Sequence, residues 1–258
     1  MRLIFRLTAL LALIFIAGCS GVNRDETAKM NAQQIYEKGH ESLESKAYQD
    51  AIKDFTKLET RFPYGAYTEQ AQLETAYAHY KADEPAAAVA AADRFIKLHP
   101  RATNVDYAYY MRGLASFEAE RGFLENLFKQ DPTKRDPSAA RDSFNYFREL
   151  VTLFPNSKYT PDAIQRMTYL RQKLAQYELN IADYYLRRGE PLAAANRASY
   201  VVDNYEGTTA VADALVIMVQ AYRQMGKNDL ADDALRVLRM NNPDHPFLKQ
   251  QPSPAKGQ

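Results

Sequence analysis

Apolar residues recur every three or four positions along most of this 258-residue chain. That period is the mark of amphipathic helices. The helical stretches are closed by a recurring punctuation: Phe62-Pro63, His99-Pro100, Phe154-Pro155 and Asn242-Pro243. Pro63 and Pro100 are 37 residues apart, as are Glu206, in the turn Asn204-Tyr205-Glu206-Gly207, and Pro243. One stretch is longer. Ile164, Met167, Leu170, Leu174, Tyr177, Ile181 and Tyr184 form one apolar stripe between Thr160-Pro161-Asp162 and Arg188-Gly189. The first triplet reads as an N-cap, a first-turn Pro and an early acid, and the last pair as a helix stop. The stripe predicts a helix of about 28 residues, roughly 42 Å. No strand alternation interrupts the pattern, so the chain reads as all-α.

The small and large positions repeat as well. Counting from Ala32, Gly39, Ala51, Phe55 and Pro63 fall at positions 8, 20, 24 and 32 of a helix pair. Ala76, Ala88 and Pro100 take the same places counted from Glu69, and Tyr222, Ala231 and Pro243 fall at 11, 20 and 32 counted from Ala212. Counted from Ala175, Ala182, Tyr185, Ala194 and Ala198 fill 8, 11, 20 and 24. These are slots of the tetratricopeptide unit, in which two helices cross at small residues and a large side chain fills the space beside the crossing. The expected fold is a right-handed superhelical solenoid of five such pairs. The third pair is interrupted: Gly113 takes the first small slot, but the pattern resumes late, at Ser143 and Phe147. The extra segment, about Gly122 to Pro137, holds Phe123, Leu124, Leu127 and Phe128, then two Asp-Pro turns. The fourth pair carries the long helix, a candidate strut between three units before it and two after.

The N-terminus changes the picture. Arg2 and Arg6 precede an apolar run ending in Ile16-Ala17-Gly18-Cys19. This is the layout of a secretory signal, too short to span a bilayer. The sequence before Cys19, the only cysteine, resembles the lipobox of bacterial lipoproteins. The resemblance implies acylation of Cys19 and an anchor of two or more chains. Residue 20 is Ser rather than the Asp that retains lipoproteins in the inner membrane, so the expected destination is the outer membrane, periplasmic side. The chain then divides into a signal peptide (1–18), a lipidated tether (19–27), units one to three (28–158, insertion at about 122–137), units four and five (159–247) and a disordered tail (248–258).

Charge and chemistry mostly exclude. Without residues 1–18, 31 basic residues face 32 acidic ones, which is not the basic excess of a nucleic-acid binder. The four His are scattered, and no zinc pattern, phosphate loop or nucleophile motif occurs. No cofactor and no catalysis are expected. A repeat solenoid works instead as a binding surface, and the 18 Tyr and 12 Phe supply contact area.

A series of motifs carries a closer resemblance: Arg61-Phe62-Pro63-Tyr64-Gly65-Ala66-Tyr67, Asp93-Arg94-Phe95-Ile96, Asp106-Tyr107, Tyr110-Met111-Arg112-Gly113-Leu114, Arg135-Asp136-Pro137, Phe154-Pro155-Asn156-Ser157, Leu174-Ala175 with Tyr177-Glu178, and Asn196-Arg197. In this order, with the lipid signal and both irregular units, the chain resembles the BamD family, tetratricopeptide lipoproteins of the bacterial β-barrel assembly (BAM) machinery. The resemblance implies a factor that helps insert β-barrel proteins into the outer membrane. Its front units would receive unfolded barrel substrates by an aromatic-rich C-terminal signal. Its back units would dock the POTRA domains of BamA, with other BAM lipoproteins nearby. On this reading Phe62, Tyr64 and Tyr67, in a turn between units, contact substrate or pack the next unit. Tyr77, Tyr80, Tyr107 and Tyr110, on first helices, line the inner face as substrate contacts or as core. Arg197, with Tyr177 and Glu178, contacts BamA, or Arg197 forms an internal ion pair with Glu178 or Asp203. The alternatives are a secretin pilotin, whose units should be more regular, and a Tol-Pal or cell-wall scaffold, whose soluble member carries a coiled coil absent here.

Overall fold

A computed structural model describes residues 26–121 and 136–250. The expected lipidation at Cys19, most of the insertion with Phe123, Leu124, Leu127, Phe128 and Arg135, and residues 251–258 lie outside the described residues. The described residues form ten α-helices and no strand. They are α1 (Ala32–Glu44), α2 (Tyr48–Arg61), α3 (Ala66–Lys81), α4 (Pro85–Leu98), α5 (Val105–Arg121), α6 (Ser138–Leu153), α7 (Thr160–Arg187), α8 (Pro191–Asn204), α9 (Ala210–Gln224) and α10 (Asn228–Asn241). Taken two at a time they are the helix pairs of a tetratricopeptide solenoid. The chain forms two compact units, Met1–Thr68 and Glu69–Gln258, with the boundary in the first turn of α3.

The crossings sit where small residues allow them. In the first unit Gly39 of α1 lies against the fully buried Phe55 of α2, so close that an added Cβ would stand 2.6 Å from the ring. In the second unit Gly113 of α5 meets Phe147 of α6 in the same way, again at 2.6 Å. The Ser143 hydroxyl donates to the Gly113 carbonyl at 2.9 Å, closing the gap beside that ring. The insertion therefore lengthens the third pair without altering its crossing. Ala76, Ala88, Ala182, Ala194, Ala198 and Ala231 are all buried.

The turns repeat too. Lys46, Asp83, Gly189 and Gly226 follow the first helices of four pairs, all with positive φ between 61° and 76°. After each, the next N–H reaches back five residues: Ala47 to Ser42, Glu84 to His79, Glu190 to Tyr185 and Lys227 to Tyr222, at 2.8–3.0 Å. This Schellman closure satisfies carbonyls that the helix end leaves open. Between pairs another device recurs. Thr68 and Thr160 donate their hydroxyls to the carbonyls of Phe62 and Phe154, six residues back. Thr160 is thus not the N-cap its sequence context suggests: it is the first residue of α7, turned back to hold the end of α6, and Tyr159 takes the cap position.

Helix α7 serves two cores. Ala163, Leu170 and Leu174 join the cluster built on Met111, Phe147 and Leu150. Ala175, Leu179 and Ala182 join the cluster of α8 and α9. The large-residue stripe overreaches at both ends, for Ile164 is 48% and Tyr184 50% exposed. The buried face keeps Leu170 and Leu174 of the stripe and adds Ala163, Ala175, Leu179 and Ala182. Two boundaries also move. Thr27, assigned to the tether, is fully buried in a 3-10 turn, Glu26–Lys29. Leu248, the first residue of the expected tail, sits with Phe247 in a 3-10 turn, Pro246–Gln250, against α9 and α10.

Gly113→Ala should lower thermal stability by about 1–3 kcal/mol, the usual cost of overpacking. Gly113→Ala with Phe147→Leu should lose less than the two single losses combined, as thermal denaturation would show.

Candidate polypeptide-binding surfaces

In the first unit the turn after α2 displays aromatic residues. Phe62 caps α2 and is half-buried, with the Arg61 guanidinium 5.2 Å above its ring. Tyr64 is 91% exposed, and Gly65, at φ 120°, takes a backbone conformation that favours glycine. Tyr67 lies not in the turn but in the first turn of α3, still 40% exposed. Its ring sits 5.6 Å from Tyr36, which also stacks on His40 and Phe55. Tyr36 is a contributor that sequence reasoning passed over. It has no motif, and only the fold brings α1 under this turn.

In the second unit four first-helix tyrosines lie in two pairs, and one pair packs around a fifth tyrosine. Tyr77 and Tyr80 lie 6.4 Å apart on α3. Tyr107 and Tyr110 of α5 flank Tyr159, at 5.2 and 4.8 Å between ring centres, with the Tyr110 ring nearly parallel to it. All five are half-buried against the core, so each keeps an edge in solvent. Burial pushes the Tyr107 phenol well above its ordinary range, helped by its neighbours Tyr159, Tyr77 and Tyr110. Burial, then the hydrogen bond to Asp162, pushes Tyr110 up to about 12. These phenols stay neutral at physiological pH. Tyr159, the centre of the cluster, was also missed, because it stands in a turn rather than on a first helix.

A polar brace locks the cluster. The Tyr110 hydroxyl donates to Asp162 Oδ2 at 2.7 Å, and Arg166 Nε donates to the same oxygen at 2.6 Å. The Arg166 guanidinium lies over the Phe117 ring at 4.8 Å, and Phe117 meets the half-exposed Tyr169 edge-on.

The other motif residues pair across elements. Arg112 donates to Asp93 of α4 at 2.8 Å and to Glu149 of α6, between the rings of Tyr109 and Tyr146. It staples three helices. The Ser157 hydroxyl donates to Asp106 at 2.6 Å, and Asp136 accepts from the N–H and hydroxyl of Ser138. Arg197 of α8 donates to Glu178 of α7 at 2.8 Å, and Arg141 approaches the same carboxylate at 3.9 Å. Glu178 is only 4% exposed, while Arg197 remains partly accessible and Tyr177 is half-buried beside them. Of the two roles considered for Arg197, the ion pair with Glu178 is present in the structure. Its accessible edge leaves room for a contact as well. Among the described residues no group of His, Cys, Asp and Glu is arranged to hold a metal ion.

Burial works to raise the Asp162 carboxyl, but the hydrogen bonds from Arg166 and Tyr110 outweigh it and hold it below 3.8. A depressed carboxylate contributes stability that is full above its unfolded value and fades as pH falls through the folded one. The advantage of the native protein over Asp162→Asn should therefore hold steady from neutral pH to about 5 and shrink below about 4, read as melting temperatures of both proteins across that range.

Comparison with known proteins follows the same lines. A family model described as outer membrane lipoprotein, YfiO, matches residues 28–238. The outer membrane protein assembly factor BamD of Neisseria meningitidis serogroup B is 44% identical over 242 residues, covering 93% of this chain and 91% of the relative. Its namesake in Xylella fastidiosa is 38% identical over 237 residues, covering 92% and 81%. That of Vibrio cholerae serotype O1 is 37% identical over 235 residues, covering 91% and 97%.

Proposed function

This chain belongs to the YfiO family of outer membrane lipoproteins, and we propose that it works as an outer membrane protein assembly factor by holding unfolded barrel chains on fixed aromatic edges. The observation that carries this reading is the cluster of Tyr77, Tyr107, Tyr110 and Tyr159, half-exposed and braced by Asp162 and Arg166. An unfolded chain loses much conformational entropy when it is held. A receiving surface whose rings are already fixed adds little further ordering cost. Tyrosine suits the task, since it presents rigid, amphipathic area with few rotatable bonds. The neutral Tyr107 phenol can donate to an open backbone carbonyl of an unpaired strand, the Tyr110 proton being held by Asp162, and the ring faces accept its aromatic side chains. Phe62, Tyr64 and Tyr67 extend the same chemistry on the first unit. The binding is reversible and non-catalytic, so release is driven by the strand pairing that closes a barrel.

The remaining parts of the proposal concern attachment and partners. Acylation of Cys19 would hold the protein on the periplasmic side of the outer membrane. Arg197, Tyr177 and Glu178 would form the contact with the POTRA domains of BamA, within the BAM machinery and beside its other lipoproteins. The buried Glu178 needs a cation, and Arg197 supplies it while presenting its outer edge. Removing one partner of such a pair strands the other charge.

Two expectations test this reading. Tyr77→Ala should weaken binding of a peptide that ends in a barrel protein's aromatic C-terminal segment by about tenfold, the loss typical of an aromatic anchor. Tyr64→Ala should weaken it without changing the melting temperature. Unchanged affinity in both folded variants, measured by fluorescence anisotropy, would remove the aromatic surface from substrate binding. The second concerns Arg197. Arg197→Gln should lower both thermal stability and co-purification with BamA. Arg197→Gln with Glu178→Gln should recover the stability, because no buried charge is then unpaired, but not the co-purification. Recovery of both would make Arg197 a structural residue only.

A further inference from the structure

The structure assigns Arg61 a role that neither its family nor its motif supplies. It is the last residue of α2, and its guanidinium holds the chain that arrives from the N-terminus. It donates to the carbonyls of Thr27, Ala28 and Met30, the last two at 3.2 and 3.1 Å. Thr27 is fully buried under this contact. The same guanidinium lies over Phe62, at the start of the exposed aromatic turn. Three carbonyls on one arriving segment suit arginine, whose planar fork carries five donors; the ammonium of lysine is a point charge with three.

We propose that Arg61 is a leash clamp that sets how far the folded first unit can stand from a lipid surface. The inference rests on the reading that Cys19 is acylated. From Cys19 to Thr27 is eight residues, a reach of at most about 28 Å when fully extended. Thr27 also sits in the 3-10 turn Glu26–Lys29, where the Met30 N–H donates to its carbonyl. When that turn opens with the clamp, the next fixed point is the capping box at Asn31, where its side chain and that of Gln34 bond each other's backbone N–H. That is twelve residues from Cys19, a reach of about 42 Å. Tyr64 follows Arg61 by three residues, so the clamp ties the exposed aromatic turn to the shorter leash. A barrel chain held there stays beside the bilayer it must enter.

The test uses the full lipidated protein on phospholipid vesicles. Acylation occupies the thiol of Cys19, the only cysteine, so Tyr64→Cys provides a single labelling site. Energy transfer from a dye there to headgroup-labelled lipid reads the distance. Arg61→Ala should cut the transfer severalfold, since the leash becomes half as long again and transfer falls steeply with distance. Insertion of four Gly/Ser residues after Ser20, with Arg61 intact, should do the same. Arg61→Lys should behave as Arg61→Ala while keeping a positive charge at the end of α2, which covers the case in which the alanine variant fails to fold. If the insertion lowers transfer while the folded Arg61 variants do not, the clamp is refuted. If none of them lowers it although the protein floats with the vesicles, the clamp is likewise refuted. If the unsubstituted protein does not float, the acylation reading fails, and the clamp with it.

Discussion

The close crossing of two helices over a residue without a large side chain is the contact on which the rest depends. At Gly39 and Gly113 the opposing phenylalanine ring lies where a β-carbon would be. Dense interiors transmit small displacements, so these crossings set the angle at which each first helix presents its outer residues. Two of the candidate contacts, Tyr107 and Tyr110, are on the same helix as Gly113. Tyr110 is three residues before Gly113, and its ring lies 6.0 Å from Phe147, the residue that fills the crossing. Packing and presentation are one arrangement seen from two sides.

Around the crossings the described residues use repeated closures. Positive-φ residues end the first helices of four pairs, and threonine hydroxyls hold the ends of α2 and α6. Cross-element pairs then lock individual helices: Arg112 with Asp93 and Glu149, Ser157 with Asp106, Arg197 with Glu178. Many of these residues belong to the motifs by which the family is recognised. Much of that motif series therefore records the architecture of the solenoid, and the proposed binding chemistry is concentrated in the tyrosines that the architecture leaves half-covered.

The fold was legible in the sequence because its signals are local and periodic. Small slots at Gly39, Ala76, Gly113 and Ala182, and the late resumption at Ser143 and Phe147, locate the pairs and the insertion without coordinates. The stop at Gly189 is equally local. Lys46 and Asp83 were not legible as the equivalent turns, since neither is the glycine that positive φ favours. Nor was the whole buried face of α7, because the small side chains of Ala163, Ala175 and Ala182 share it with the larger apolar residues. The candidate site was legible only in its residue types. Aromatic content and helix position pointed to Tyr77, Tyr80, Tyr107 and Tyr110. Tyr36, Tyr159 and the Asp162–Arg166 brace emerge only from contacts between elements distant in sequence, as does the hold of Arg61 on Thr27.

The central claim is that tyrosine edges on the first helices receive an unfolded barrel chain. Photo-crosslinking in living cells addresses it most directly. A benzophenone amino acid placed at Tyr77 or at Tyr64, with Met240, 76% exposed on α10, as the reference position, would be irradiated while a barrel protein is being assembled. The account predicts adducts to the barrel chain from Tyr77 and Tyr64, mapping to its aromatic C-terminal strand, and few from Met240. Equal yields at all three positions, or adducts from Met240 alone, would contradict it.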